Sequence, residues 1–588
     1  MAHWDRGLQD RLNFLWIACY VGSAILGVRL LHIQVIRNVY YARVAESNRT
    51  QIIHQSAPRG IITDRRGRVI VTSKPAFSLI YLPGETQDAS RIAGLAKSLA
   101  KELREDSESL HEKLKEAHEE EAAIHLAENL PLKTMFKLSE LKTIYPGVDL
   151  IVEARRYYPN GATAGHLLGY MGRMDKRSWR RLRAKGYRKD SWIGKTGLES
   201  KYERQLRGVD GESRMEVDAQ GHLKRKIGES LWSPGANLHL TLDLEMQKAA
   251  EEGLRASPSG MGGVVVLDPR NGAILALAST PDYDPNLFLL SGNERPKDYL
   301  KNLPEFNRAI QGTYSPGSTF KMLVGVAMLE SGVKPDEKVY CSGKFRLGRR
   351  SFACLKKTGH GPTDWMRGIT QSCNVYFYTM GLRAKGANIE RFSKMFGFGK
   401  KTGSGLKGEK GGNLFGPEAR KSKKKGWYEG DTVNLSIGQG ELLVTPIQMA
   451  VYAAALANRG TLWRPYVVSK IVYSDGTEEP AEKAEKAGVL DVSDDTWDLI
   501  SKGMRSVVTN GTGRRVNIPG IDVRGKTGTA QNPLGEDHAW FVAFAGREGE
   551  EPSLALAVLV QFGGHGSSAA GPIARRIIET AFAPREDL

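Results

Sequence analysis

The longest apolar pattern of the chain lies close to its N-terminus. The run LNFLWIACYVGSAILGV, from Leu12 to Val28, contains no charged residue. About 20 apolar residues cross the hydrocarbon core of a bilayer, so this run and the residues after it predict a transmembrane helix over 12–32. The alternative is a cleaved signal peptide, whose apolar core is shorter, about 7–15 residues, and ends at a site with small residues. The length favours an uncleaved anchor.

Short apolar runs separated by turn residues predict antiparallel strands further along the chain. The runs on either side of Asp64–Gly67 predict one hairpin, and GGVVVLD and AILALAST, joined at Asn271–Gly272, predict another. AWFVAFAG and LALAVLVQF predict two more strands, followed by a helix from Pro572. From Ala89 to about Leu141 the pattern is instead helical and strongly charged. Together these patterns indicate a mixed α/β fold with antiparallel hairpins.

Length and composition exclude several classes of protein. The 588 residues are enough for about four domains. With 40% apolar and 26% charged residues, the chain is not globally disordered, collagenous or a coiled coil. Four cysteines are too few for a disulfide-stapled secreted scaffold. The stretch SLWSPGAN at 230–237 is typical of a linker.

The net charge of +18 indicates an anionic partner. The segment KRSWRRLRAKGYRK at 176–189 alone carries eight basic side chains. One interpretation is a nucleic-acid patch, and the other is a surface helix near an anionic membrane or polymer. No nucleic-acid-binding motif accompanies the segment, so we expect no nucleic acid as partner.

Three short motifs carry candidate chemistry. Ser318-Thr-Phe-Lys321 places a hydroxyl and an amine on one face of a helix, where a desolvated lysine can activate the serine. A turn precedes this serine and an apolar helix follows it, which predicts helix N–H groups close to an oxyanion. Ser372-Cys-Asn374 and the run Lys526–Thr529 follow in order. Each motif is weak alone, but their order and separation form a strong joint signal.

A nucleotide-binding loop is the main alternative from another class. Gly520 to Thr527 satisfies G-x4-G-K-[ST] literally. A phosphate loop must follow a strand and open a helix, however, and GTAQNPLG after Thr527 cannot start a helix. We therefore expect no nucleotide and no organic cofactor.

With these motifs the chain resembles the class B penicillin-binding proteins, most closely the elongation-type group called penicillin-binding protein 2. APRGIITDRRG, RRYYPNGATAGHLLGY, IGKTGLES and GESRMEV carry the resemblance in the N-terminal part. STPDYDPN, YSPGSTFK, SIGQGELLVTPIQMA and RGKTGTAQN carry it in the C-terminal part. The resemblance implies a cytoplasmic segment at 1–11, the transmembrane helix at 12–32, a pedestal of the dimerisation type at 45–230 and a transpeptidase domain at 236–582. In the last of these, an antiparallel sheet is flanked by helices.

The resemblance also implies D,D-transpeptidation of peptidoglycan stem peptides. Ser318 would attack the carbonyl between two D-alanines, and Lys321 would take its proton. Ser372 would relay a proton to the leaving D-alanine, while Asn374 would orient Lys321 and the substrate. β-Lactams would acylate Ser318 as substrate mimics.

The third motif would bind the substrate. Lys526 would hold its terminal carboxylate together with Thr527 and Thr529, and Gly528 completes the motif. Backbone N–H groups of Ser318 and Thr529 would form the oxyanion hole.

Three cysteines and a histidine lie close together in the sequence, at Cys341, Cys354, His360 and Cys373. Thiolates and imidazole suit tetrahedral Zn²⁺, and four protein ligands would make the site structural. The alternative is a Cys341–Cys354 disulfide with Cys373 free. Some relatives of the elongation type have a zinc at matching positions, which favours zinc.

The resemblance further implies location and partners. The substrate lies outside the cytoplasm, so the N-terminus would be cytoplasmic and the catalytic domain periplasmic or extracellular, at the bacterial inner membrane. A SEDS-family glycosyltransferase and other elongation-complex proteins would be partners. A septal class B transpeptidase and a non-catalytic β-lactam sensor remain alternative functions.

Overall fold

The computed structural model describes residues 3–41, 50–83, 89–103, 105–119, 123–145, 147–217, 223–290, 304–532 and 535–584. Its helices are α1 His3–Leu31, α2 Ala89–Leu103, α3 Ser107–Glu119, α4 Leu132–Ile144, α5 Gly165–Leu168, α6 Lys176–Leu182, α7 Gly197–Lys201, α8 Glu203–Arg207, α9 Leu244–Arg255, α10 Lys321–Leu329, α11 Trp365–Thr370, α12 Asn374–Ala384, α13 Gly386–Met395, α14 Pro417–Ser422, α15 Glu429–Leu435, α16 Pro446–Ala457, α17 Asp494–Thr509 and α18 Ala570–Phe582. Its strands are β1 Thr50–Gln55, β2 Ile62–Thr63, β3 Val69–Tyr81, β4 Ile124–Leu130, β5 Val148–Tyr157, β6 Met171–Arg173, β7 Trp192–Gly194, β8 Gly211–Val217, β9 Leu223–Ser230, β10 Asn237–Leu240, β11 Gly262–Leu267, β12 Ile274–Thr280, β13 Val339–Cys341, β14 Lys344–Leu347, β15 Arg350–Ala353, β16 Gly361–Thr363, β17 Thr461–Trp463, β18 Val468–Val472, β19 Glu478–Pro480, β20 Lys486–Val489, β21 Ile521–Ala530, β22 His538–Arg547 and β23 Leu554–Val560.

The apolar run at the N-terminus forms the long helix α1, continued by a π-helical turn over His32–Ile36. The 30 residues Gly7–Ile36 are long and apolar enough to cross a membrane, and their side chains are exposed rather than packed on the rest of the chain. A helix satisfies its own backbone hydrogen bonds, as a membrane span requires. The helix is therefore compatible with the predicted anchor.

The chain divides into two compact units. The first comprises residues 1–58, 74–155 and 208–234. It contains the antiparallel sheet β1-β8-β9, and it buries one face of α2 and α3 against the C-terminal part of β3 around Leu79, Leu95 and Leu114. The charged pattern from Ala89 was predicted to be helical as far as about Leu141, which is wrong at β4. The residues of β4 form a strand rather than a helix, because their pairing with β3 overrides helix propensity there.

The second unit comprises residues 59–73, 156–207 and 235–588. Its main sheet has the order β12-β11-β23-β22-β21, and all neighbours are antiparallel. The helices α9 and α18 cover one face, and α16 covers the other. Successive residues of β11 therefore enter different cores: Val264 and Val266 pack on one side, Val265 and Leu267 on the other. The predicted hairpins at Asp64–Gly67 and Asn271–Gly272 are confirmed.

A buried ion network joins separate segments within this second unit. Arg59 and Arg156 each donate to the Glu199 carboxylate at 2.6 Å, and Arg59 also reaches Glu203 at 2.7 Å. Burial opposes ionisation of Glu199, but the two guanidinium groups still hold its pKa below the ordinary value. Removing one partner would leave a buried charge without compensation, at a cost of about 3–5 kcal/mol.

Candidate active site

Ser318 lies in a 3-10 turn, Gly317–Phe320, that leads directly into the buried helix α10. The turn needs glycine at 317, where φ is +55° and a Cβ would lie 2.6 Å from the Thr529 carbonyl oxygen. The Gly317 N–H donates to the Gly438 carbonyl at 3.0 Å and fixes the turn. Ser318 is half-buried, and its hydroxyl makes no hydrogen bond to any residue that the structure describes.

Lys321 begins α10 and is fully buried. Its ammonium donates to the Ser372 carbonyl at 2.9 Å, to the Ser372 hydroxyl at 3.2 Å and to Asn374 Oδ1 at 2.6 Å. Burial lowers the pKa of Lys321 to about 8, although the Cys373 and Cys354 thiols act in the opposite direction. A lysine in this state can lose its proton close to neutral pH, as a catalytic base must.

Ser372 connects α11 with α12 and has a positive φ of +55°. This left-handed conformation at the end of α11 is normally adopted by glycine. The hydroxyl contacts two amines, because Lys526 Nζ lies 2.9 Å from Ser372 Oγ and Lys321 Nζ lies 3.2 Å from the same oxygen. Burial, and then repulsion by Lys321, lower the pKa of Lys526 well below its ordinary value.

The run Lys526–Thr529 belongs to β21, the edge strand of the main sheet. Gly528 faces the nucleophile turn so closely that a Cβ would lie 2.8 Å from Thr319 Cγ2 and 3.0 Å from the Pro316 carbonyl oxygen. The strand continues through Thr527 rather than opening a helix, which excludes the nucleotide-binding loop. Sequence reasoning missed Thr512, whose hydroxyl lies 2.6 Å from the Thr527 hydroxyl. No motif marks that residue.

The structure thus brings together the three predicted motifs. Lys321, Ser372, Asn374 and Lys526 form one hydrogen-bonded cluster, and the turn that carries Ser318 packs on the strand that carries Thr529. An edge strand next to a nucleophile turn can accept an extended peptide through backbone hydrogen bonds. The arrangement can therefore hold a peptide beside an activated serine.

The four predicted metal ligands also meet. Cys341 ends β13, Cys354 follows β15, and Cys373 precedes α12. His360 Nδ1 lies 3.6 Å from Cys341 Sγ and 3.5 Å from Cys354 Sγ, and the Cys354 and Cys373 sulfurs are 3.9 Å apart. All four ligand atoms lie within 4.8 Å of one another, and the side chains are buried. The structure forms no Cys341–Cys354 disulfide, since all three thiols are free.

The donor set fits a tetrahedral ion. Zn–S bonds of about 2.3 Å in a tetrahedron place two sulfurs about 3.8 Å apart, close to the spacing of Cys354 and Cys373. The hydrogen bond from Cys373 lowers the pKa of Cys354, and backbone N–H groups at 375, 356 and 374 act in the same direction, against burial. The same contact raises the pKa of Cys373, so this pair of cysteines holds one thiolate and one thiol, and the thiol would have to lose its proton to bind a metal.

Comparison with known proteins places this site in a family. The penicillin binding protein transpeptidase domain matches residues 262–579, and the penicillin-binding protein dimerisation domain matches residues 54–240. The chain belongs to the penicillin-binding proteins that combine these two domains.

Individual relatives show which penicillin-binding proteins this chain is similar to. The peptidoglycan D,D-transpeptidase MrdA of Acinetobacter baumannii is 32% identical over 571 residues, which are 93% of this chain and 84% of that protein. A chain in the complex of penicillin-binding protein PBP2 with MreC from Helicobacter pylori has a TM-score of 0.77 and 27% identity, covering 90% of this chain and 99% of that one. A chain of a peptidoglycan synthase complex has a TM-score of 0.71 and 29% identity, covering 98% and 99%.

Proposed function

We propose that this protein is a membrane-anchored peptidoglycan D,D-transpeptidase that cross-links stem peptides during cell elongation. The observation that carries the proposal is the buried cluster in which Lys321 and Lys526 share the Ser372 hydroxyl beside the turn of Ser318. The relatives named as D,D-transpeptidases support the reaction, and the chain in a peptidoglycan synthase complex supports a role in wall synthesis.

Acylation begins with the Ser318 hydroxyl. Lys321 in its neutral form accepts the hydroxyl proton while Ser318 Oγ attacks the carbonyl carbon between the two terminal D-alanines. Backbone N–H groups of Ser318 and Thr529 donate to the oxyanion that forms. The C–N bond then breaks, Ser372 passes a proton to the departing amine, and D-alanine leaves with an ester on Ser318.

Positioning of the substrate depends on β21. The terminal carboxylate pairs with Lys526 and accepts hydrogen bonds from Thr527 and Thr529, while the peptide backbone lies along the open edge of the strand. Asn374 holds Lys321 through its 2.6 Å hydrogen bond, and its amide nitrogen, which donates to the Ala353 carbonyl at 3.4 Å, has a second N–H for the substrate. The amine of a neighbouring stem peptide then attacks the ester, forms the cross-link and restores the Ser318 hydroxyl. β-Lactams acylate the same oxygen.

We also propose that Cys341, Cys354, His360 and Cys373 bind one structural Zn²⁺. Four protein donors leave no open position, so the ion would supply no chemistry to the reaction and would instead fix the residues on both sides of Cys373. Those neighbours are Ser372 and Asn374. Zinc measured by mass spectrometry should be near one per chain. We expect Cys354→Ser to lose it and Cys19→Ser, in the exposed helix α1, to keep it.

The proposed reaction requires one membrane orientation. The substrate lies outside the cytoplasm, so α1 crosses the inner membrane with the N-terminus in the cytoplasm and the catalytic domain in the periplasm or outside the cell. Glycan strands would come from a separate SEDS-family polymerase, because the two matched domains, over residues 54–240 and 262–579, are a dimerisation domain and a transpeptidase domain. Other proteins of the elongation complex would bind as well.

The test combines labelling and cross-linking. Intact mass and peptide mapping after benzylpenicillin should show one adduct on Ser318, and Ser318→Ala should show none. The wild-type chain should form cross-links from lipid II in the presence of a polymerase, and the variant should not. Labelling without any cross-links would contradict a transpeptidase and leave a β-lactam-binding module.

A further inference from the structure

The segment Lys176–Lys185, which we call the basic segment, carries charge that the catalytic site does not use. Six of its ten residues are basic and none is acidic. It consists of α6 and a 3-10 turn over Arg183–Lys185, both in the second compact unit. The six basic residues are all exposed: Lys176, Arg177, Arg180, Arg181, Arg183 and Lys185.

The acidic residues on either side do not neutralise this charge. Asp175 caps α6 by accepting from the Ser178 N–H at 2.8 Å and pairs with Lys195 at 2.9 Å. Asp190 pairs with Arg188 at 2.9 Å. Within the described part of the chain, none of the six cations of the basic segment forms an ion pair.

The fold keeps these cations together at a cost. On α6, Arg177 lies three and four residues before Arg180 and Arg181, so like charges share one helix face and destabilise the helix. The ring of Trp179 offsets part of the repulsion, because Arg183 lies over it with 5.5 Å between its guanidinium carbon and the ring centre. A polyanion would remove the remaining repulsion.

The composition of the surface distinguishes between two kinds of anion. A helix that inserts into a lipid surface presents apolar side chains beside its basic ones. Trp179 and Leu182, the large apolar residues of the basic segment, are both partly buried, so the exposed face is cationic. Four of the six cations are arginines, whose planar fork matches a carboxylate with two parallel hydrogen bonds.

We propose that the basic segment binds a glycan strand through the free carboxylates of its stem peptides. This inference rests on the proposed function, which makes such a strand the substrate and product of the same compact unit. A site apart from the catalytic residues would hold a polymer close to the enzyme between successive cross-links, since several weak contacts on one chain raise the effective concentration.

The experiment measures binding of the full-length protein, held in nanodiscs of zwitterionic lipid, to insoluble peptidoglycan in a sedimentation assay. The test variant combines Arg180→Glu, Arg181→Glu and Arg183→Glu. The matched control combines Arg91→Glu, Lys97→Glu and Lys101→Glu, three exposed cations of α2 in the other unit. We expect the test variant to bind about tenfold more weakly and the control to stay within about twofold of wild type.

Two further measurements make the result specific. Amidation of the peptidoglycan carboxylates should weaken binding of the wild type to the level of the test variant, and added salt should do the same. Equal binding by the test variant and wild type would overturn the inference. So would a test variant that keeps peptidoglycan binding but loses binding to vesicles rich in anionic phospholipid, which would assign the surface to the membrane.

Labelling by fluorescent penicillin separates this inference from the proposed function. The test variant should label like wild type, which shows that its catalytic unit is folded. Ser318→Ala should bind peptidoglycan like wild type although it takes no label. Loss of cross-linking by a protein with intact polymer binding would count against the proposed function alone.

Discussion

At the scale of single residues, Ser372 combines a strained backbone with a shared hydroxyl. Its φ of +55° is unfavourable for a residue with a side chain, by about 1–2 kcal/mol. The conformation persists because Lys321 donates to both its carbonyl and its hydroxyl, and Lys526 donates to the hydroxyl as well. Backbone strain at this position therefore serves to hold the hydroxyl between two amines.

Replacement of Ser372 separates these two roles. Ser372→Gly and Ser372→Ala both remove the hydroxyl, so we expect both to lose at least about a hundredfold in acylation by penicillin. Only glycine also relieves the strain of the left-handed backbone. The free energy of unfolding of the Gly variant should therefore be about 1 kcal/mol higher than that of the Ala variant. Acylation kinetics and denaturant unfolding check the pair. Equal stability of the two would show that the positive φ is not strained.

Glu251 is a second residue whose state depends on burial. It lies on α9, where Oε1 accepts from the Ala164 N–H and the Gln247 amide, both at 2.7 Å. Burial raises the pKa of this carboxyl to about 7. The folded protein thus holds the proton more tightly than the unfolded chain, in which the pKa is about 4.3. The resulting stabilisation is complete below about pH 4 and is lost as the pH rises through 7.

Glu251→Gln should remove this pH dependence. The amide stays neutral, so we expect the variant to gain stability relative to wild type by about 1–3 kcal/mol between pH 5 and pH 8. Glu252→Gln is the control, because Glu252 is exposed and pairs with Arg576 on the surface. Thermal unfolding at both pH values measures the difference. The same change in melting temperature at pH 5 and pH 8 would contradict the raised pKa.

At the scale of elements, the site depends on how closely β21 packs against the turn Gly317–Phe320. Gly528 permits this approach, and Trp540 Cβ on β22 would lie 3.0 Å from any added Cβ. The Trp540 indole N–H also donates to the Ser315 carbonyl at 3.0 Å, which ties β22 to the segment just before that turn. The distance between nucleophile and substrate-binding strand is thus set by packing of the sheet.

Gly528→Ala should move these two elements apart. The added methyl would clash with Thr319 and with backbone oxygen, so we expect a loss of about 1–3 kcal/mol in stability and a loss of acylation greater than tenfold. Gly525→Ala on the same strand is the matched control, since the heavy atoms nearest to its added Cβ belong to the Phe541 and Ala543 side chains and not to the nucleophile turn. That variant should lose stability but keep acylation. Equal acylation by both variants would show that the close approach is not needed.

At the scale of the whole molecule, the apolar anchor and the catalytic residues are separable. The catalytic residues all belong to the second compact unit, whereas α1 belongs to the first and is exposed over residues 7–31. Removal of the anchor should therefore leave the chemistry of Ser318 unchanged.

A chain that lacks residues 1–36 tests this separation. We expect it to remain in solution without detergent and to react with fluorescent penicillin at a rate within about twofold of the full chain, because α1 and the catalytic residues belong to different compact units. Cross-linking beside a membrane-bound polymerase should fall sharply, since the two enzymes no longer share a surface. Ser318→Ala in the shortened chain controls for unspecific labelling. A shortened chain that folds but takes no label would contradict the prediction.

Much of this protein follows from the sequence alone. The anchor and most hairpins depend on local patterns of apolar and turn residues, and the identity of Ser318, Lys321 and the later motifs depends on spacing within a few residues. The strand β4 was not predictable, because its residues sit between helices and adopt a strand by pairing with β3. Thr512 was equally hidden, since its contact with Thr527 joins two elements without any motif.

Only the tertiary structure decided how the site works. Lys321 and Ser372 are 51 residues apart, and Ser372 and Lys526 are 154 apart, so no local pattern places one hydroxyl between two amines. Burial then lowers the pKa of both lysines, and burial is a property of the packed core rather than of any residue. The sequence by itself determined which groups are present. The packing determined their distances and their protonation, because both depend on neighbours that are remote along the chain.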